Sequence, residues 1–304
     1  MCIRDRPSIL DLMSIDLHIH SSNSDGTDKI EDILNIAIEQ QLQAISITDH
    51  EFLSEVENTN LIEIIPGVEM SVSWYDLELE NPFAGIHLLV YFLKKDTPIH
   101  ELLSKIRIEK KNRNYEILEK LKKVGVEIER KELDDLETKV PGRPHIANLM
   151  KSKGYVASLN EAFKEYLGNG KVGDSRIHQN PIEEVIDCAK ESKCLVFLAH
   201  PHTLMSNKDY SFSKNWYDSV FVDRLKTLKN LGIHGVETYY SSYSKTTSST
   251  LSEIVNNMNL LKSGGSDYHG DNKPDINIGF GYESNKLNIS YELLELMKEK
   301  HAEL

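Results

Sequence analysis

Cysteine is scarce in this chain. Cys2, Cys188 and Cys194 are the only three in 304 residues, and no two form a Cys-x-x-Cys pair. A disulfide framework and a thiolate metal site are excluded, and the usage suits a reducing cytosol, so a cytoplasmic location is expected. Long apolar runs are missing too. Nothing approaches the roughly 20 apolar residues of a membrane-spanning helix, so no membrane partner is expected. Residues 1–14 have no apolar centre of the signal-peptide kind and do not share the pattern that follows. They read as a tail or cloning scar outside the fold. Basic residues are in deficit, 35 against 48 acidic ones, giving a formal charge of −13. Non-specific binding of nucleic acid needs clustered Lys and Arg against the phosphates, so no stable duplex binding is expected. A small phosphorylated substrate, nucleotide or short oligonucleotide, remains compatible, because metal ions held by the protein can supply positive charge locally. No feature points to an obligate protein partner.

What is present is an alternation of strand and helix patterns. Residues 15–19 read as a buried strand and 21–26 as a polar loop. A helix follows, with Asp28 and Glu31 in a capping-box pattern and Ile30, Ile33, Leu34, Ala37 and Ile38 at helical spacing. Residues 44–47 form the next strand, and this alternation argues for parallel βα units in an α/β fold. From 97 to 171 no buried strand is evident. A charged helix runs through Leu102, Ile106, Ile117 and Leu121 until Gly125, and shorter ones are predicted at 132–137, 144–153 and 159–167. Their charged surface reads as a solvated face. The α/β pattern then returns. Asn180 caps a helix with Pro181 at its first position, and 195–199 is an apolar strand covered on both faces. Helices are expected at 221–231, 250–258 and 291–299, with a short strand at 235–237.

Histidines and carboxylates collect at the ends of these strands. His18 and His20 lie two apart in an extended run, so both rings point to one side and can reach one ion. His50 follows 44–47, Glu69 follows 64–68, His200 follows 195–199, and Asp267 and His269 follow 260–266. His87 precedes its apolar run and fits least clearly. In a βα barrel the functional residues occupy the C-terminal ends of strands. His and carboxylate ligands suit Zn²⁺, Mn²⁺ or Fe²⁺. A carboxylate such as Glu69 can bridge two ions, and ions about 3.5–4 Å apart can hold a hydroxide and clamp phosphate oxygens for in-line displacement. Taken singly, His50 reads as a turn residue, Glu69 as a strand-end charge and His87 as a core histidine. Their joint placement predicts a multinuclear metal centre.

The ordered motifs Asp16-Leu17-His18-Ile19-His20-Ser21, Ser24-Asp25-Gly26, Ile47-Thr48-Asp49-His50, Pro66-Gly67-Val68-Glu69, Ala199-His200-Pro201 and Gly265-Ser266-Asp267-Tyr268-His269 resemble those of the PHP (polymerase and histidinol phosphatase) family over about 15–279. The resemblance implies an α/β fold of the distorted (β/α)7 TIM-like barrel type. The barrel would comprise 15–96 and 172–304, with 97–171 a helical insertion covering the active site. It also implies a trinuclear centre. His18, His20, Glu69 and Asp267 would hold one ion, Glu69, His87 and His200 a second, and Asp25, His50 and His269 a third. Two to three divalent ions are expected, Mn²⁺ first, with Zn²⁺ or Fe²⁺ as alternatives.

Gly142-Arg143-Pro144-His145-Ile146-Ala147 and Tyr166-Leu167-Gly168-Asn169-Gly170-Lys171 resemble the branch containing the 3′,5′-nucleoside bisphosphate phosphatase and 5′→3′ exoribonucleases. Arg143 offers a bidentate fork for phosphate and His145 a second donor. Lys171, His178, His202 and Trp74 are weaker candidates, for substrate contact or for orienting a ligand; the branch's proline-rich turn after the lysine is replaced here by Val172-Gly173-Asp174. The expected activity is release of phosphate from nucleoside 3′,5′-bisphosphates or from the 5′ ends of short oligonucleotides. The alternatives are a phosphomonoesterase of the histidinol-phosphate type and a non-catalytic metal-binding module.

Overall fold

A computed structural model describes residues 14–57, 59–74, 86–168, 170–174, 180–205, 216–281 and 285–304. Strands β1 (Ile15–Ile19), β2 (Ala44–Ile47) and β3 (Glu63–Ile64) pair in parallel in that order. Strands β4 (Gly67–Ser73), β5 (Ile86–Tyr91), β6 (Asn180–Pro181), β7 (Leu195–Leu198), β8 (Gly235–Tyr240) and β9 (Leu261–Gly265) form a second sheet ordered β6-β4-β5-β7-β8-β9. Every residue of β1, β2 and β7 is buried, as in sheets covered on both faces. The fold is α/β.

The expectation of parallel units fails at one strand. β5 runs antiparallel to both β4 and β7. An antiparallel neighbour needs no crossover helix between the two strands. The reversal carries His87, the second residue of β5, to the end of the sheet where the parallel strands finish. That is why His87 precedes its apolar run while the other ligand candidates follow theirs.

The two sheets meet along two seams. On one side His50 bridges Glu69, and the Glu69 amide donates to Thr48 O at 3.0 Å. On the other Ile19 bridges Tyr268, the Asp267 amide donates to His18 O at 2.8 Å, and the His20 amide donates to Tyr268 O at 2.9 Å. Gly265 makes the second seam possible, since a Cβ there would lie 2.4 Å from the His18 nitrogen. Both seams lie at the strand ends that carry the histidines and carboxylates.

Around the sheets pack α1 (Ile30–Glu39), α2 (Pro98–Lys122), α3 (Arg130–Asp134), α4 (Arg143–Ser152), α5 (Leu159–Ala162), α6 (Ile182–Glu191), α7 (Ser219–Leu231), α8 (Lys245–Asn257) and α9 (Glu292–Ala302). Two expected caps differ. Lys29 occupies the N-cap of α1 without a side-chain bond, because Asp28 is taken by the hydroxyls of Tyr268 and Thr27. Asn180 and Pro181 pair with β4, so α6 starts one residue later than expected. The 159–167 helix divides into α5 and a π-helical turn at Phe163–Leu167.

Helix α2 joins two cores. Ile99, Leu102, Leu103 and Ile106 belong to the main core beside the sheet. Ile117, Leu118 and Leu121 belong to a separate core with Leu133, Ile146, Met150 and Leu167. The long helix thus anchors α3–α5 to the sheets by its own apolar stripe.

Gly265→Ala is expected to lower stability by at least about 2 kcal/mol, because the new methyl meets backbone that cannot yield. Gly142→Ala, whose Cβ would meet only Pro144 at 3.5 Å, is expected to stay within about 0.5 kcal/mol of wild type. Urea melts of the two variants beside wild type check this, and equal midpoints would refute the close-approach argument.

Candidate metal centre

β1 sends the rings of His18 and His20 to one side, with their Nε2 atoms 3.2 Å apart. Glu69 Oε2 lies 3.2 Å from His18 Nε2 and 2.9 Å from His20 Nε2, and Asp267 Oδ1 lies 3.5 Å from each. The other oxygen of Glu69 turns the opposite way, 2.7 Å from His87 Nδ1 and 2.9 Å from His200 Nε2. Asp25 forms a third focus, with Oδ1 3.4 Å from His20 Nδ1 and 3.3 Å from His269 Nε2, and Oδ2 3.8 Å from His50 Nε2. All nine residues singled out in the sequence are thus brought together. The groups with ligand atoms mutually within 4.8 Å are His18, His20, Glu69 and Asp267; His20, Asp25, His50 and His269; and His50, Glu69 and His87. The first repeats an expected set and the other two overlap theirs: His20 also serves the Asp25 group, His50 joins Glu69 and His87, and His200 meets the centre through Glu69.

The donors suit divalent cations. They are nitrogens and oxygens only, and two imidazole Nε2 atoms facing each other with two carboxylate oxygens leave lone pairs converging on one point. The buried Nδ1 of His50 has no hydrogen-bond partner. Burial opposes charge on His18, yet the carboxylates of Glu237, Glu69 and Asp267 outweigh it and hold the imidazolium well above its usual range. His20 rises to about 9 in the same way, burial being offset by Asp25 and Glu69. Burial would raise Asp25, Glu69 and Asp267, but the surrounding histidines, and Lys273 for Asp267, keep all three ionised well below the usual carboxylate range. At His50 burial prevails and the ring falls to about 4. A site that must borrow protons to balance its carboxylates is one that cations can fill.

Residues around the donors hold them in place. Asp49 accepts the Ser21 amide at 2.8 Å and the hydroxyls of Ser21, Ser24 and Ser54, fixing the loop that carries Asp25. Asp16 accepts the amides of Ser266 at 2.9 Å and Gly279 at 2.8 Å, which ties β1 to the Asp267 loop; burial pushes its carboxyl up to about 6. Positive φ values occur at Glu51 (49°), His200 (28°) and Asp267 (56°), each in or beside the centre.

Several of these residues escape a reading of the sequence. Glu237 is a carboxylate within an apolar strand, and Tyr240 at the end of β8 donates to Asp267 Oδ2 at 2.8 Å. Lys273 also contacts Asp267 Oδ2. The α2 face expected to be solvated is partly turned inward. Lys110 pairs with buried Glu51, and Arg107 donates to Glu51 O at 3.2 Å. Burial lowers the Arg113 guanidinium, which feels Glu51 and Arg143 and lines a small cavity with Glu51 and Lys110. Arg107, Lys110 and Arg113 follow one another at a spacing that shares a helix face, but the sequence shows them only as part of a charged stretch.

The segment between β5 and β6 also touches the loop of Asp25. Thr138 Oγ1 donates to Ser24 O at 2.9 Å, and the Lys139 and Val140 amides donate to Asn23 O at 2.9 and 3.1 Å. His145 is half-buried, accepts the Gly142 amide on Nδ1 at 3.1 Å, and lies close enough to Asp25 and Ser24 to feel both. Arg143 starts α4, donates to Leu167 O at 3.3 Å and lies 5.9 Å from the Phe163 ring. Lys171 is exposed at a bend. His202 hydrogen-bonds Tyr243 Oη through Nδ1 at 2.7 Å, with its ring 5.9 Å from that of His200. Trp74 packs in the main core at 4% exposure, an environment of packing rather than base stacking. His178 lies outside the described residues.

The chain resembles several known proteins over most of its length. A 5′-3′ exoribonuclease of Haemophilus influenzae is 26% identical over 84% of the chain and 89% of its own length. A phosphoribosyl 1,2-cyclic phosphate 1,2-diphosphodiesterase of Eggerthella lenta is 24% identical over 87% of the chain and 97% of its own length. The structure of a proposed metal-dependent phosphoesterase from Bifidobacterium adolescentis, 20% identical, superposes with a TM-score of 0.73 over 97% of this chain and 98% of that one, and shares its fold. The sequence profile of the PHP domain matches residues 16–172, more than half the chain, and the protein belongs to the PHP domain family.

Proposed function

We propose that this chain is a metal-dependent phosphoesterase that releases phosphate from nucleoside 3′,5′-bisphosphates or from the 5′ ends of short oligonucleotides. The observation that carries the reading is the gathering of nine His, Asp and Glu side chains, with Glu69 and Asp25 at its foci, at one end of the sheets. His18, His20, Glu69 and Asp267 would hold one ion, Glu69, His87 and His200 another, and Asp25, His50 and His269 a third. Bound divalent ions supply Lewis acidity toward phosphate oxygens and lower the pKa of an attacking water.

The remaining chemistry falls to this chain's own groups. Among the described residues no thiol competes as nucleophile: Cys194 is buried and pushed up to about 12, and Cys188 is also raised by burial. His145 and Arg143, in the first turn of α4, would be the donors to the non-bridging oxygens of a phosphate. His202, which burial lowers to about 3, is neutral at working pH and serves as a hydrogen-bonding group rather than a cationic acid. The exoribonuclease name of the Haemophilus relative supports a nucleotide substrate over a sugar phosphate.

Phosphate release from adenosine 3′,5′-bisphosphate in Mn²⁺ is expected to stop with chelator, return with metal, and fall more than about a hundredfold in Glu69→Ala. Equal rates in wild type and variant would end the proposal, and preferred release from histidinol phosphate or a ribose cyclic phosphate would redirect it.

Arg143→Ala is expected to raise KM about tenfold or more, the loss of a charge-assisted contact of about 1.5–3 kcal/mol, with kcat changed less. Arg143→Lys should restore little, since the fork is lost. An unchanged KM would remove Arg143 from the site.

Ion uptake should depend on pH in a defined sense. His20 in the metal-free fold is protonated up to about 9, and His18 also rises, so ions displace protons on binding. Affinity for Mn²⁺ therefore climbs as pH rises toward about 9, and calorimetry in buffers of different ionisation enthalpy should register proton release. A pH-independent affinity would contradict the assignment of these rings as ligands.

A further inference from the structure

Glu237, the third residue of β8, is wholly buried, and among the described residues its ion pair is with His18 alone. Its two oxygens do different things. Oε1 lies 2.9 Å from His18 Nδ1, and Oε2 accepts the backbone N–H of His200 at 2.7 Å. Those histidines address opposite oxygens of Glu69. His18 Nε2 faces Oε2 at 3.2 Å, and His200 Nε2 faces Oε1 at 2.9 Å. His200 also stands at φ 28°, immediately before Pro201, a conformation that an L-residue keeps only when its surroundings hold it.

We infer that Glu237 is a positioning residue that couples the two ion positions on either side of Glu69, an inference that rests on the metal centre proposed above. By accepting from Nδ1–H it makes Nε2 the nitrogen of His18 that gives up its proton and would offer a lone pair to an ion shared with Glu69 and Asp267. By accepting the His200 amide it holds the strained turn that aims the second ring. Both tasks need an acceptor at each oxygen. A glutamine has the same shape but only one acceptor oxygen, and its NH₂ would face a donor. Glu237→Gln must therefore release either the His18 ring or the His200 turn. The Asp25, His50 and His269 group has no contact with Glu237 in this network and serves as an internal reference.

The test is equilibrium dialysis of metal-free protein against Mn²⁺, with bound metal counted, for wild type and Glu237→Gln of matching circular dichroism. The variant is expected to bind the ions served by His18 and His200 about 10–100-fold more weakly, while uptake at the Asp25 group is unchanged. General loosening of the fold would weaken all positions together. A second measurement needs no variant: in zinc-loaded wild type, ¹⁵N spectra should show His18 with Nδ1 protonated. Unchanged binding in folded Glu237→Gln, uniform weakening at every position, or a bare Nδ1 on His18 would overturn the inference. Failure of wild type to take up any divalent ion would overturn the metal centre itself, and this inference with it.

Discussion

Ionised carboxylates held out of water are the constraint around which this face of the molecule is arranged. Asp25, Glu69 and Asp267 lie within one cluster of imidazoles, and Glu69 is almost wholly buried. An isolated buried carboxylate is so unfavourable that it protonates instead. Here the histidines reverse that outcome and keep the carboxylates charged. The arrangement is favourable only if positive charge is supplied at close range, by protons on His18 and His20 or by ions. The seams between the sheets, the Asp49 and Asp16 networks and the positive φ values near His200 and Asp267 all hold that concentration of like charge in place. Such strain is a cost that packing elsewhere must offset.

Much of this was legible in the sequence because strand-end position is a local property. His18, His20, His50, Glu69, His200, Asp267 and His269 each sit beside an apolar run whose burial is forced by its composition, so their common end follows from α/β topology. His87 was the awkward case because strand direction is not local. Nothing in Ile86–Tyr91 says that β5 runs against its neighbours. Glu237 was hidden for a related reason: a charged residue in a strand shows its meaning only once its two partners, far apart in sequence, converge on it. Capping boxes misled at Asp28, whose carboxylate is claimed by Tyr268 from the other end of the chain. Tertiary hydrogen bonds outcompete local ones wherever the partner is already fixed by packing.

The helical segment shows how periodicity can conceal a role. Its charges look solvated in the sequence, yet Lys110 and Arg113 gather at Glu51. In a chain with a formal charge of −13, cations gathered near the carboxylate-rich end of the sheets are the exception to the general field. The second core beneath α2 matters here, since it gives Arg143 and His145 a rigid base on α4 without taking apolar contacts from the sheets.

Glu69 joins these levels. It lies where the chain leaves the first sheet for the second, its amide bonded to Thr48 O across the seam and its strand paired with β5. One oxygen faces the β1 histidines and the other faces His87 and His200, which arrive from β5 and β7. A residue within a single continuous sheet would present its side chain to one set of neighbours. At a crossing between sheets, a short carboxylate reaches ligands from both. The irregularity that splits the parallel pattern into two sheets is therefore the same feature that gives one side chain access to two groups of imidazoles.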